Sequence, residues 1–253
     1  MAKRLFRLLV LLALLYVALC ALLFVLQRSL LYVPRPRTPV PGAVMQTLKT
    51  DAGDVLVTTR PHAGPKAVVY FGGNAEDAAR SLPGLEQAFP DQAIYLLHYR
   101  SYGGSAGKPT EAALVADALQ LMDQVAAAHP QVTVIGRSLG SGVAVEVAAR
   151  RALARLVLVT PFDSMVTVAR EQYWFVPVRW LLLDRYDSSA YAPRISAPTT
   201  VIVAANDELI PRRSTDLLTA AFRPGVARQV VIDGVGHNSI ARSEQYLPAL
   251  ADR

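Results

Sequence analysis

The run Val132-Thr133-Val134-Ile135-Gly136-Arg137-Ser138-Leu139-Gly140-Ser141-Gly142 decides how the rest of the chain is read. Residues 131 to 135 are too apolar and too β-branched for a loop and predict a buried strand, whereas Leu139 to Ala152 has the composition of a helix. Gly136 to Gly140 is then the turn between them, with Ser138 at its apex. A serine on so sharp a turn has a strained backbone, and a Cβ two residues to either side would strike the neighbouring strand or helix. Glycine at 136 and 140 removes both collisions. The helix also aims its free N–H groups and positive dipole end at charge developing beside Ser138. A bare G-x-S-x-G is common by chance; the strand before it and the helix after it make Ser138 a candidate nucleophile.

Outward from this turn the chain alternates. Asp54 to Arg60, Lys66 to Phe71, Gln92 to His98, Arg155 to Thr160, Thr199 to Ala205 and Arg228 to Asp233 read as strands. Between them, Ala75 to Phe89 reads as an interrupted helix, Glu111 to Ala128 and Arg212 to Phe222 as helices, and a last helix starts near Ser239. Short apolar strands alternating with helices predict an α/β domain, a mostly parallel, doubly wound sheet covered on both faces. One segment, about 164–193, departs from the alternation and holds Tyr173, Trp174, Phe175 and Trp180. It predicts a short helical cap over the carboxyl ends of the strands, where such folds bind ligands.

The amino terminus is of another kind. The chain of 253 residues has a formal net charge of +6, but all six excess positives (Lys3, Arg4, Arg7, Arg28, Arg35, Arg37) precede residue 38. The remainder is balanced, so no basic nucleic-acid surface is implied. Between those positives, Leu8 to Leu26 is uncharged and dominated by leucine, valine and alanine. A helix over it, at about 1.5 Å per residue, nearly matches a hydrocarbon core of about 30 Å. No small-x-small cleavage site follows, so residues 1–28 are expected to be an uncleaved transmembrane anchor, with an inside amino terminus and an exported catalytic domain. The proline-rich segment 29–41 is expected to be a semi-rigid spacer standing the folded domain, 42–253, off the membrane. A single cysteine allows no internal disulfide.

A serine nucleophile needs a base and a carboxylate to orient that base. Of four histidines, His62, His98 and His129 fall in turns or at element ends upstream of Ser138. His237, in Gly234-Val235-Gly236-His237-Asn238, follows the final strand on a glycine-rich loop and completes the chain order Ser…Asp…His. Asp207 closes the preceding strand and is the preferred acid, with Glu208 next to it and Asp163 after an earlier strand as alternatives. An oxyanion hole needs two N–H donors. Leu139 supplies one, and Asn74 in Phe71-Gly72-Gly73-Asn74-Ala75 the second, with Ala75 in reserve. No metal-ligand cluster, dinucleotide or phosphate-loop pattern is present, and no cofactor is expected.

These residues resemble a family. With Gly73-Asn74-Ala75, the run from Tyr99 through Gly103-Gly104 to Glu111, the Gly-Arg-Ser-Leu-Gly turn, Pro161-Phe162-Asp163-Ser164-Met165, Asp184-Arg185-Tyr186-Asp187-Ser188 and Gly236-His237-Asn238, the chain is similar over about residues 45 to 245 to small membrane-anchored α/β-hydrolases of the serine-peptidase-like group. That group includes the acyl-protein thioesterases. The resemblance implies Ser138, Asp207 and His237 as a catalytic triad. Gly72 stands where the family usually has histidine.

The expected activity is therefore that of a serine hydrolase acting on esters or thioesters, with lipid-like or acylated substrates suggested by the anchor and the aromatic cap. A peptidase of the same fold and a noncatalytic membrane-anchored binding protein are the alternatives.

Overall fold

The computed structural model describes residues 1–252. Eight strands form one sheet: β1 (Val44–Thr50), β2 (Gly53–Arg60), β3 (Lys66–Phe71), β4 (Ala93–Leu97), β5 (Gln131–Arg137), β6 (Arg155–Val159), β7 (Thr199–Ala204) and β8 (Ala227–Ile232). Their order across the sheet is β1-β2-β4-β3-β5-β6-β7-β8. Only the β1–β2 and β2–β4 pairs are antiparallel; the other six strands run parallel. Nine α-helices accompany them among the described residues: α1 (Ala2–Leu31), α2 (Leu82–Ala88), α3 (Glu111–Ala128), α4 (Leu139–Arg150), α5 (Met165–Gln172), α6 (Val178–Leu181), α7 (Ser188–Tyr191), α8 (Arg212–Ala221) and α9 (Tyr246–Ala251).

The two-residue period of each central strand builds two cores. Ala67, Val69 and Phe71 of β3, Val132 and Val134 of β5, and Val201 and Val203 of β7 pack with α3 and α4. Val68, Tyr70, Ile135, Ile202 and Ala204 point the other way and pack with α2 and α9. Alternate side chains of a strand leave its opposite faces, so a strand that is apolar throughout must be covered on both sides. Each buried Val or Leu contributes roughly 1.5–3 kcal/mol relative to an exposed one. Helix α4 is buried along almost its whole length, which its glycines, Ser141, Ala144 and Ala148 permit.

The structure revises several expectations. Residues 44–50 form β1, an edge strand that is mostly exposed and shows no apolar alternation. Residues 75–89 are a loop, a 3-10 turn at Ala78–Ser81 and then α2, which carries a proline in its first turn. The last helix is a 3-10 turn at Ile240–Arg242 followed by α9, with the break between them. The cap consists of α5, α6, α7 and a 3-10 turn at Ala192–Arg194. Helix α1 runs three residues beyond the expected boundary at residue 28 and is the one helix among the described residues long and apolar enough to cross a membrane.

The proline-rich segment is held against the domain surface. Tyr32 is buried and its hydroxyl lies 2.9 Å from that of Tyr186. The Thr38 N–H donates to Asp77 Oδ2 (2.7 Å), and the Gly103 N–H donates to the Arg35 carbonyl (2.9 Å). Arg28 Nε meets Asp184 Oδ2 at 2.9 Å. Prolines prevent this stretch from forming its own helix or ladder, so its remaining backbone groups find partners on the domain surface.

Arg100 ties the far edge together. Its guanidinium takes Asp117 of α3 with two hydrogen bonds (2.9 and 2.8 Å) and Asp51 of the β1–β2 turn with a third (2.6 Å). Asp117 is buried, whereas Asp51 has 83% of its side chain exposed. Removing Asp117 strands a buried cation, but removing Asp51 does not. Asp117→Ala is expected to cost about 3 kcal/mol and Asp51→Ala at most about 1 kcal/mol, read as thermal unfolding in detergent.

Candidate active site

The turn between β5 and α4 has the shape expected of a strained elbow. Ser138 has φ 49°, a left-handed value uncommon for serine. Its N–H donates to the Val159 carbonyl of β6 (2.9 Å), and its own carbonyl accepts the Ser141 N–H (2.9 Å) and hydroxyl (2.6 Å). A Cβ on Gly136 would meet the Gly140 carbonyl oxygen, and a Cβ on Gly140 would meet the carbonyl oxygens of Phe71 and Gly72. The first turn of α4 thus lies directly against the end of β3 and the loop after it.

Ser138, His237 and Asp207 come together from three separate loops. His237 Nε2 lies 3.0 Å from Ser138 Oγ, and its Nδ1 lies 3.0 and 2.9 Å from the two oxygens of Asp207. His237 is buried. Asp207 is held in turn by the N–H groups of Leu209 (2.9 Å) and Ile210 (2.8 Å). In this geometry the imidazole can take the serine proton, and the carboxylate can stabilise the imidazolium that results.

The other candidate acids and histidines lie elsewhere. Glu208 accepts the backbone N–H of His237 (2.9 Å), so it steadies the loop and does not meet the ring. Asp163 accepts the hydroxyls of Ser214 and Thr167 (2.5 and 2.8 Å). His98 is buried against Thr58 Oγ1 (2.7 Å), and burial lowers its pKa to about 4. His129 bonds the Gly64 carbonyl and the Tyr95 hydroxyl, and His62 accepts from the Gly64 N–H.

The loop after β3 lies against the elbow: a Cβ on Gly73 would stand 3.5 Å from that of Ser138. Among its N–H groups, Gly73 donates to Glu76 Oε2 (2.7 Å) and Ala75 to Asn74 Oδ1 (3.0 Å). Asn74 N–H and Leu139 N–H have no acceptor within the described residues. Three bonds brace the loop. They are Tyr99 hydroxyl to Gly72 carbonyl (2.8 Å), Tyr102 hydroxyl to Asn74 Oδ1 (2.7 Å), and Val33 N–H to the same Oδ1 (2.9 Å).

Two functional positions escaped the sequence reading. Glu76 accepts from the Tyr70 hydroxyl (2.6 Å), Ser81 hydroxyl (2.9 Å), Gly73 N–H and Arg137 Nη1 (3.0 Å). Arg137 also reaches the His237 carbonyl at 3.4 Å. Burial acts to lower the Arg137 pKa, but Glu76 beside it outweighs that, and the net shift is upward, so the guanidinium stays charged. One pair thereby links the elbow, the Gly-Gly-Asn loop and the histidine loop. The signal was present: an arginine inside an apolar, buried turn requires a buried acid.

No family model matches the chain. It is 35% identical over 237 residues to an uncharacterized protein of Mycobacterium tuberculosis, an alignment covering 84% of this chain and 80% of that relative. It is 30% identical over 166 residues to human alpha/beta hydrolase domain-containing protein 17B, covering 62% of this chain and 54% of that protein, so the chain matches about half the length of that relative. In backbone it is similar to an esterase of Pyrococcus furiosus (TM-score 0.69, 18% identity, 87% of this chain and 97% of that one). A Pyrobaculum calidifontis esterase is similar too (TM-score 0.63, 20% identity, 84% and 83%). The chain belongs to the α/β-hydrolase superfamily, and to one family with the mycobacterial protein.

The close approach of α4 and β3 sets a local test. Gly140→Ala forces two backbone carbonyls to move and is expected to cost roughly 3 kcal/mol. Gly84→Ala, in α2 with only an ordinary contact at 3.5 Å, is expected to stabilise by about 0.5–1 kcal/mol. Thermal unfolding of the two variants side by side reads both signs.

Proposed function

We propose that the chain is a serine hydrolase that cleaves carboxylic esters or thioesters through an acyl-enzyme on Ser138. One observation carries the reading: a single imidazole bridges Ser138 Oγ and both Asp207 oxygens, beside two N–H groups that have no other acceptor. Ser138 Oγ attacks the carbonyl carbon while its proton passes to His237 Nε2, and Asp207 stabilises the imidazolium. Leu139 and Asn74 N–H hold the oxyanion, each such donor being worth about 2.7–4 kcal/mol. The carbonyl–oxygen or carbonyl–sulfur bond then breaks and the leaving group takes the proton from His237. Water, deprotonated by the same ring, attacks the acyl-enzyme, and the acid leaves with Ser138 restored.

We further read α1 as an uncleaved membrane anchor with the domain on the exported side. The chain emerging from α1 bonds the loop carrying the second oxyanion donor, since the Val33 N–H donates to Asn74 Oδ1. A site at the end of a membrane helix favours lipid-like or acylated substrates over small soluble peptides.

A fluorophosphonate probe applied to the full chain in detergent tests the chemistry. Labelling is expected in the native protein and absent in Ser138→Ala; equal labelling of both, or none of the folded native protein, would reject an activated serine. Among the carboxylates, Asp207→Asn is expected to lower kcat on an ester substrate about 10⁴-fold, and Glu208→Gln and Asp163→Asn far less, because neither touches the imidazole.

A further inference from the structure

The cap lies alongside the span of α1. Tyr16, in the middle of the uncharged run, donates its hydroxyl to the Phe175 carbonyl (3.0 Å). Gln27 donates to the Leu181 carbonyl (3.1 Å) and accepts from the Leu183 N–H (2.7 Å), and Arg28 pairs with Asp184. Tyr16 and Gln27 are eleven residues apart, about 16 Å along a helix at 1.5 Å per residue. The cap therefore accompanies α1 for about half of a hydrocarbon core of about 30 Å.

The surface that this arrangement presents is apolar. Trp174 and Trp180 are 82% and 84% exposed, and Phe175 and Leu183 are exposed beside them. These are both tryptophans of the chain. A cavity of about 160 Å³ opens between α1 and the cap, lined by Leu23, Phe24, Leu30, Val168, Val178 and Leu182 among others. Exposed in water, such a patch is costly; beside a membrane helix it is continuous with the lipid-facing surface of α1. Arg170, Glu171 and Arg179 are exposed on the same segment. Their charges limit the depth, since long side chains reach the head groups only from the outer part of the bilayer.

We infer that the aromatic edge of the cap, Tyr173 to Leu183, is a membrane-inserting surface that reaches from the head-group boundary into the acyl-chain region beside α1, with lipid acyl chains filling the cavity between them. The inference rests on α1 as a membrane span and is independent of the chemistry at Ser138. Tryptophan at this depth has its ring among acyl chains and its indole N–H near the wet interface.

Because the only two tryptophans lie on this edge, selectively excited tryptophan fluorescence reports on it alone. The full chain is reconstituted into phosphatidylcholine vesicles that carry bromine near the head-group end or near the terminal methyl of the acyl chains. Trp174→Phe and Trp180→Phe leave one reporter each, and Ser138→Ala is measured in parallel. The expected result is blue-shifted emission, quenched by brominated lipid and little by aqueous iodide, with Trp180 quenched relatively more by bromine near the head-group end than Trp174. Loss of the serine hydroxyl leaves this pattern unchanged. Protein that floats with the vesicles yet is quenched by iodide and by neither brominated lipid would overturn the inference while leaving the anchor in place. Protein that does not float would overturn both.

Discussion

The first turn of α4 packs so closely on the end of β3 that no Cβ fits between them. Gly140 lies against the carbonyl oxygens of Phe71 and Gly72, and Gly136 against that of Gly140. This contact sets the position of everything around Ser138. It turns the chain back sharply enough to put Ser138 at positive φ, brings the free Leu139 N–H beside the hydroxyl, and presses the Gly72-Gly73-Asn74 loop against the same serine. A larger residue at position 140 would separate the helix from the loop and with them the two N–H groups.

Close packing alone would leave two flexible loops facing each other. The half-buried Glu76–Arg137 pair converts them into one assembly, because the carboxylate holds Gly73 N–H on one side and the guanidinium reaches the His237 carbonyl on the other. Side-chain exposures of 11% for Glu76 and 17% for Arg137 mean that both charges are largely removed from water, so each needs the other. Glu208 does similar work at the histidine loop by accepting the His237 N–H. Charged groups at this site therefore divide into one carboxylate facing the imidazole and a set that positions backbone.

The amino-terminal segment joins the same assembly. Val33, two residues beyond α1, donates to the side chain of Asn74, and Tyr32 is buried against Tyr186, whose ring lies where a Cβ on Gly142 would be. The membrane-type helix, the loop beside Ser138 and the cap thus share contacts. The chain forms them because prolines 34 to 41 leave this segment no secondary structure of its own.

The sequence by itself determined the parallel sheet, the helix Glu111–Ala128, the helix that starts at Leu139 (expected to reach Ala152, ending at Arg150), the elbow and the apolar first helix. Each of these is written in local periodicity, glycine placement or an unbroken apolar run, which act over neighbouring residues. It also nominated Ser138, Asp207, His237, Leu139 and Asn74 from residue type and chain order. Their distances are tertiary facts, since Ser138 and His237 alone are brought together across 99 residues of chain. The sequence ranked Asp207 above its neighbour Glu208; the tertiary structure shows the physical difference, since the turn aims Asp207 at the imidazole and Glu208 at the His237 N–H. Tertiary structure alone decided the partners of Arg137, the course of the proline segment and β1, whose exposed edge carries no apolar pattern. In each case the deciding term is satisfaction of a buried charge or backbone group by a residue distant in sequence, and such pairings leave no local trace.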